Sequence, residues 1–297
     1  MNTETNIWTG RSRVGKRIRA GLAIVSALGV LFTAAACGSA SASDGVTTLK
    51  VALTTSTDDP LWDQVNKNLE AENAKVRVKT VAMKSAVLGN QALSAGDVDL
   101  SAQQHYAFLN GEIKEKGYKF TVIGEAYISP LNIYSNKIKK ISELKKGDKV
   151  LIPNDVTNGG RAIIVLQEAG VLKVDPSKND PAKGIYPAQE DITSNPKNIE
   201  LVPTDRNMIM SSLDDAAAGI ANANAVVDYG KSPEKDAIFK IDPDPTKDVN
   251  KPWINVIVAR TEDKDKDIYK EVIKAYHQKN VRQIMENESK GAEIPTW

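Results

Sequence analysis

Short apolar runs and helix-spaced apolar positions take turns along most of this chain. Residues 48–54 (TLKVALT) form a run of strand length. Asp59-Pro60 then offers an N-cap with proline at the first helical position, and Leu61, Val65 and Leu69 follow at helical spacing beside Trp62. From Lys75 to Ala82 the pattern alternates, with Val76, Val78 and Thr80 on one face, as in a half-buried strand. The spacing predicts a helix from Ala86 to Ala95 stopped by Gly96, a strand over 97–102, a helix from about His105 to Gly117 and a strand over 119–128.

A second set of elements begins near Pro130. It reads as strands over 131–135, 149–152, 198–203 and 217–221, with helical segments at 141–146, from about Gly159 to Gly170 and at 207–213. The stretch 171–198 is polar and rich in Pro, Asp and Asn. Trp253 to Arg260 (WINVIVAR) is a further strand, and Ile268, Val272, Ala275 and Tyr276 mark one face of a final helix continued by Ile284. Repeated β-α alternation predicts an α/β fold of mostly parallel sheets covered by helices. A chain that leaves one lobe, builds another and returns predicts a two-lobed clamp with a hinge and a ligand cleft between the lobes. The expected division is 47–129 with 227–297 for lobe 1, and 130–226 for lobe 2.

The N-terminus follows a different pattern. Arg11, Arg13, Lys16, Arg17 and Arg19 precede an apolar stretch from Leu22 to Phe32 and then Thr33-Ala34-Ala35-Ala36, the order of an export signal. The apolar run is shorter than the roughly 20 residues of a stable membrane span. The single cysteine, Cys37, directly follows that small-residue run. A small-small-Cys ending resembles a bacterial lipobox, although the residue three before the cysteine is Ala34 rather than the usual Leu. Cleavage nearby, after Ala40-Ser41-Ala42, is the alternative. A lone thiol in an exported chain has no disulfide partner, whereas anchoring gives it a role. Residues 1–36 are thus expected to be a lipoprotein signal peptide, and 37–46 the lipidated cysteine with a flexible tether.

Removing residues 1–36 changes the charge. That segment holds five basic residues against Glu4, so the +1 of the whole chain becomes −3 for residues 37–297. No basic stripe with interleaved aromatics occurs, which argues against a nucleic-acid partner. Catalytic patterns are also missing. The only histidines are His105 and His277, and no G-x-S-x-G, H-E-x-x-H or C-x-x-C is found. Gly230-Lys231-Ser232 lacks the upstream glycine of a phosphate loop, since Ala225 stands there. His277, among Lys and Gln, reads as a surface residue. The expectation is therefore not an enzyme, and no cofactor or metal.

Three stretches could bind a solute. Asn154 to Arg161 follows a strand and opens a helix. Its glycines would let the backbone approach a ligand, its free N–H groups would favour an anion, and Arg161 could grip a carboxylate through two N–H bonds. Local features leave this open against a plain turn with a surface arginine. Asn222-Ala223-Asn224 follows a strand and offers amide oxygens and NH₂ groups, though asparagines are also ordinary turn residues. Gln103-Gln104-His105-Tyr106 closes a strand, where polar and aromatic side chains commonly face the crevice of an α/β fold, but it also reads as an ordinary helix start.

Taken in order and spacing, these residues resemble a known family. The matching pieces are Asn90 to Asp99, Gln104-His105, Lys114 to Lys119, Tyr134-Ser135, Lys137 to Leu144 and Val150 to Thr157 with Asn158, Gly160 and Arg161. They continue through Asn195 to Asn198, Ser212 to Ala216, Asn222, Asn255 to Arg260 and Trp297. From about Lys50 onward the chain is similar to the NlpA/MetQ family of methionine-binding lipoproteins of ABC importers. The resemblance implies a type II periplasmic-binding-protein fold that closes over an amino acid and docks on a permease. It implies that Arg161 holds the α-carboxylate, that Asn222 holds the α-amino and carboxylate end with Asn158 beside it, and that His105 walls the side-chain pocket. Gln103, Ser129, Tyr127 and Asn224 complete the expected site. The chain departs from the family where an aromatic residue is replaced by Gln103, a tyrosine by Ser129, and Lys-Pro-Tyr by Tyr106-Ala107-Phe108. Aromatic faces suit a thioether, so these changes leave three readings: methionine with Tyr106 or Tyr127 compensating, another amino acid or short peptide, or a surface lipoprotein that no longer transports. The expected partners are the amino acid, the permease and the membrane through Cys37. The expected state is a monomer on the extracytoplasmic face of the cell membrane.

Overall fold

The computed structural model describes residues 45–297; the expected signal segment, Cys37 and the tether up to residue 44 lie outside the described residues. Strand β1 (Thr47–Leu53) leads into α1 (Asp59–Ala71), β2 (Val76–Ala82), α2 (Ala86–Ala95), β3 (Leu100–His105), α3 (Tyr106–Lys116) and β4 (Phe120–Ile128). After a crossing at 129–130 come β5 (Leu131–Tyr134), β6 (Lys149–Pro153), α4 (Val156–Glu168) and the ribbon of β7 (Lys173–Val174) and β8 (Ile192–Ser194). Next are β9 (Glu200–Thr204), β10 (Ala218–Asn222), α5 (Ala223–Asp228) and β11 (Ala237–Phe239). The chain then returns to β12 (Ile254–Arg260), α6 (Asp267–Tyr276), α7 (Lys279–Glu288) and β13 (Ile294–Pro295).

One lobe is built on a six-stranded sheet of order β13-β4-β12-β3-β1-β2, the other on a five-stranded sheet of order β11-β5-β10-β6-β9. The sheets are mixed rather than mostly parallel. β1 pairs in parallel with β2 and β3, and β6 with β9 and β10. β12 runs antiparallel to β3 and β4, and β5 antiparallel to β10 and β11. Strands joined by a helix re-enter a sheet in the same direction. β5 and β12 instead arrive from the opposite lobe and run against their neighbours. The expected boundary at residue 227 also moves: Ala237 pairs with Tyr134 in the second sheet, so the first lobe resumes only after residue 239.

Each sheet is covered as its hydrophobic pattern requires. Val51, Val65, Leu69, Val272 and Tyr276 form a core under α1 and α6, and Leu93, Val98, Leu109 and Phe120 fill the other face of the first sheet. In the second lobe Ile152, Ile163, Leu166 and Ile220 pack together. Full burial of each such side chain stabilises the fold by roughly 1.5–3 kcal/mol.

Three local departures matter for the site. After α2, Gly96 adopts φ 82° and the Asp97 N–H turns back to the Ala92 carbonyl, so β3 starts three residues later than the alternation suggests. That shift makes Gln103, Gln104 and His105 the end of a strand. Residues 207–212 form turns, not a helix, yet still bury Ile209 and Met210. The final helix is two helices, α6 and α7, separated at His277 and Gln278.

Candidate ligand-binding cleft

Strand ends from both lobes meet around one cavity of about 40 Å³. The first lobe contributes Asp58, Gln103, His105 and Tyr127, and the second Asn158, Arg161, Arg206 and Asn222. Asn222 ends β10 opposite Leu131, where the chain first crosses between lobes.

Helix α4 begins earlier than its glycines suggest. Asp155 is its N-cap, with its carboxylate accepting the Asn158 N–H at 2.9 Å. The helix start is therefore occupied by the chain's own acid and is not an anion site. The glycines serve packing: a Cβ on Gly159 would lie 2.8 Å from the Pro153 carbonyl oxygen, and one on Gly160 2.6 Å from Tyr186. They hold α4 tight against β6 and the loop at Tyr186, rather than clearing a path for a ligand.

Asp155, Asn158 and Arg161 share one face of the helix at three-residue spacing. The Asp155 carboxylate also accepts Asn158 Nδ2, at 3.1 Å to each oxygen, which fixes which end of that amide is which. Asn158 Oδ1 is then the acceptor for His105 Nε2 at 3.3 Å across the cleft, and for Asn222 Nδ2 at 3.1 Å. His105 Nδ1 accepts the Phe108 N–H at 3.1 Å, so the proton sits on Nε2. Burial and the nearby Arg161 push the imidazole down to about 4, which keeps it neutral. At the far end of this relay, Asn222 Oδ1 is buried and unpaired among the described residues.

Arg161 is only 3 % exposed. One NH₂ group donates to the Ser129 carbonyl at 2.9 Å, and the guanidinium lies 4.7 Å above the Trp253 ring. Burial lowers its proton affinity, but to about 9, so it stays charged at neutral pH. The remaining N–H donors of this planar cation suit a carboxylate.

The first lobe supplies a different set of groups. Asp58, at the start of α1, and Glu293, near the C-terminus, bring two buried carboxyls within hydrogen-bonding reach, beside the Tyr127 hydroxyl. Burial lifts Asp58 to about 6 against the opposing pull of its hydrogen bond with Glu293, and burial with the nearby Asp58 lifts Glu293 well above the usual carboxylate range. Gln103, 7 % exposed, donates from Nε2 to the Ala86 carbonyl at 3.3 Å, and its Oε1 has no partner among the described residues.

Of the expected residues, Arg161, Asn222, Asn158, His105, Gln103, Ser129, Tyr127 and Asn224 all line this cavity. Two are less available than the sequence suggests. The Ser129 hydroxyl donates to the Ala292 carbonyl, and Asn224 Oδ1 accepts the Ala225 N–H. Tyr106 bonds to Glu125 outside the cavity and cannot replace a missing aromatic wall. His277 is not a free surface residue: its Nε2 lies 2.7 Å from the Glu125 carbonyl and its ring stacks on Trp297. Asp58 and Arg206 were not singled out from sequence. Asp58 directly precedes Asp59-Pro60, and Arg206 directly precedes the segment expected as a helix at 207–213.

A family model described as NlpA lipoprotein matches residues 49–297. D-methionine-binding lipoprotein MetQ of Salmonella typhimurium is 34 % identical over 236 residues, covering 79 % of this chain and 83 % of the relative. A nutrient-binding protein from Burkholderia cenocepacia solved bound to methionine is 31 % identical, with TM-score 0.77 over 85 % of this chain and all of that one. The substrate-binding protein of a methionine transporter from Streptococcus pneumoniae is 30 % identical, with TM-score 0.76 over 84 % and 96 % of the two chains.

Proposed function

The chain belongs to the NlpA lipoprotein family, and from that membership we propose that it is the substrate-binding lipoprotein of an ABC importer. It captures methionine or a related amino acid between its lobes and delivers it to the permease. The observation that carries this reading is the pairing of a buried acceptor unpartnered among the described residues, Asn222 Oδ1, with a buried cation, Arg161, in one cavity. An α-ammonium group supplies the donor that Asn222 lacks, and an α-carboxylate supplies the anion that Arg161 suits. Asn158, itself bonded by His105, holds Asn222 in place, and the Ser129 carbonyl and Trp253 ring hold Arg161.

The cycle follows from where these groups sit. Arg161, Asn158 and Asn222 belong to the second lobe and His105 to the first. A ligand that contacts both lobes binds their approached arrangement better, shifts the population toward it, and gives the permease a form to read. The protein acts by capture and release and transforms nothing. On the sequence pattern, Cys37 carries acyl chains that hold it at the extracytoplasmic face of the membrane. Each buried CH₂ contributes roughly 0.8 kcal/mol, and two chains or more hold firmly. Replacing Cys37 by Ala should move the protein from the membrane fraction to the soluble one.

The main test is thermal melting of ligand-stripped protein against the common amino acids in both chiralities and methionine dipeptides. A ligand that binds only the folded state raises the melting temperature. A rise with at least one amino acid is expected; no rise with any would remove amino-acid capture and leave a surface lipoprotein that does not transport.

A further inference from the structure

The two ends of the cavity ask for different chemistry. We propose that the ligand's side chain carries a neutral N–H donor of the carboxamide class, received by Gln103 Oε1 and the Asp58 carboxyl. This rests on the amino-acid reading above and names the ligand class within it.

The first support is Gln103. Its amide is held in one orientation, because Nε2 donates to the Ala86 carbonyl and the group packs against Gly89 of α2. A Cβ at Gly89 would sit 1.7 Å from that Nε2, so only glycine leaves the amide this place. The oxygen is thereby fixed as an acceptor with no partner among the described residues, on a residue 7 % exposed. Such an atom is costly to bury and is satisfied by an incoming donor.

Asp58 adds a second acceptor in the same wall. The Thr57 hydroxyl donates to its Oδ1 at 3.3 Å, and Glu293 faces it from the C-terminal segment. A proton shared between the two acids leaves Asp58 oxygens with unused acceptor capacity.

The third support is the predominance of polar side chains in the lining. Among the described residues, Ala86, Ala102 and Phe108 are the only lining side chains made of carbon alone. A thioether or aliphatic chain gains by contact with such walls, and here it would instead seal Gln103 and Asp58 from water without bonding them. Sites built to bond an N–H or O–H discriminate strongly against analogues that lack it. Charge favours a neutral donor over an ammonium group. Arg161 and Arg206 already place two cations in the wall, and Arg206 can donate to a carboxamide oxygen.

The test is calorimetric titration of the full lipidated chain in detergent, stripped of carried-over ligand. L-glutamine, L-methionine and L-methionine sulfoxide have side chains of similar length and differ in donors and acceptors; L-asparagine is the shorter carboxamide. The better carboxamide is expected to bind at least tenfold more tightly than methionine or the sulfoxide. Equal or tighter binding of methionine overturns this inference and leaves amino-acid capture standing. A sulfoxide as tight as the carboxamide overturns the donor assignment, because that group only accepts. If no amino acid binds, both readings fall. Gln103→Leu should lose at least tenfold for the carboxamide while methionine changes by less than threefold or improves. Gln103→Glu keeps an acceptor and should retain most of the carboxamide affinity. Equal loss of both ligands in Gln103→Leu, with unchanged melting of the free protein, would remove Gln103 as the specificity residue.

Discussion

The two ends of the cavity are built in opposite ways. At one end, Asp155, Asn158 and Arg161 come from the start of a single helix, where Asp155 orients the Asn158 amide and Asn158 in turn orients Asn222. At the other, Asp58, Gln103, Tyr127 and Glu293 come from four separate segments of the first lobe. The helix end is a local structure in which every amide orientation is dictated by Asp155. The convergent end depends on long-range packing, and substitution at any one of its positions alters it without disturbing the rest. A fold can therefore keep its grip on the common part of a ligand class while its preference within that class drifts.

The largest effect that would expose this division is at Arg161. Arg161→Ala removes a charged hydrogen-bond donor, which contributes about 1.5–3 kcal/mol, so affinity should fall by roughly 10- to 100-fold or more for every amino acid alike. Titration of two unlike ligands checks it. A loss confined to one of them would mean that Arg161 reads the side chain and that the ends have been assigned the wrong way round.

The helix end was largely legible in the sequence. Arg161, Asn158 and Asn222 fall in stretches whose strand-turn-helix setting can be read locally, and the family resemblance singled them out. The role of Asp155 was not legible, because a cap and an anion site differ only in whether the helix starts at Val156 or nearer Gly159. Glycines that look like room for a ligand prove to be room for Pro153 and Tyr186. The convergent end was partly hidden. Gln103 and Ser129 stood out as departures from the family, but Asp58 meets Glu293 across a separation that no spacing rule spans. The sheets followed the same logic: the helix-linked strands could be read as parallel, while the antiparallel course of β5 and β12 depends on the crossings between lobes.

Asp155 gives the next largest effect. Asp155→Ala removes an N-cap, costing about 1 kcal/mol of stability, and also frees the Asn158 amide to turn. Affinity should drop about tenfold by this indirect route, although Asp155 is not among the cavity-lining residues. Asp155→Asn can keep the cap but offers one oxygen instead of two, so its melting temperature should recover more than its affinity. If affinity and stability recover together, the relay contributes nothing beyond the cap.

The convergent end has a signature in pH. Burial raises Asp58 and Glu293, so the folded chain holds protons that the unfolded chain releases. Their contribution to stability is complete below the unfolded carboxylate range near pH 4, and is lost as pH rises through about 6 and beyond. His105 works in the other direction. Held down to about 4, it contributes above about pH 6.5 and loses that contribution as pH falls. The two oppose each other between these limits, and of these three groups only the acids still titrate above pH 6.5. Glu293→Gln should flatten the decline in melting temperature from pH 6.5 to 8.5 and leave the variant about 2–4 °C above wild type at the upper limit. Identical slopes would show that the acid pair is not strained by its burial.

The smallest effect would be the sharpest. Gly89→Ala adds one methyl group to α2, at the point where Gln103 Nε2 lies. The obstacle is the tip of a flexible side chain, and alanine favours a helix over glycine by about 1 kcal/mol. The melting temperature should therefore stay level or rise slightly. Gln103 would be pushed off the Ala86 carbonyl, and its oxygen would lose its fixed direction. Affinity for a carboxamide ligand should weaken a few-fold, and affinity for methionine should not. In the Gln103→Leu background the same change should do nothing further to binding, because side chains in contact are not independent. If Gly89→Ala lowers affinity as much in that background as in wild type, it acts through the backbone of α2, and the convergent end is as rigid as the helix end.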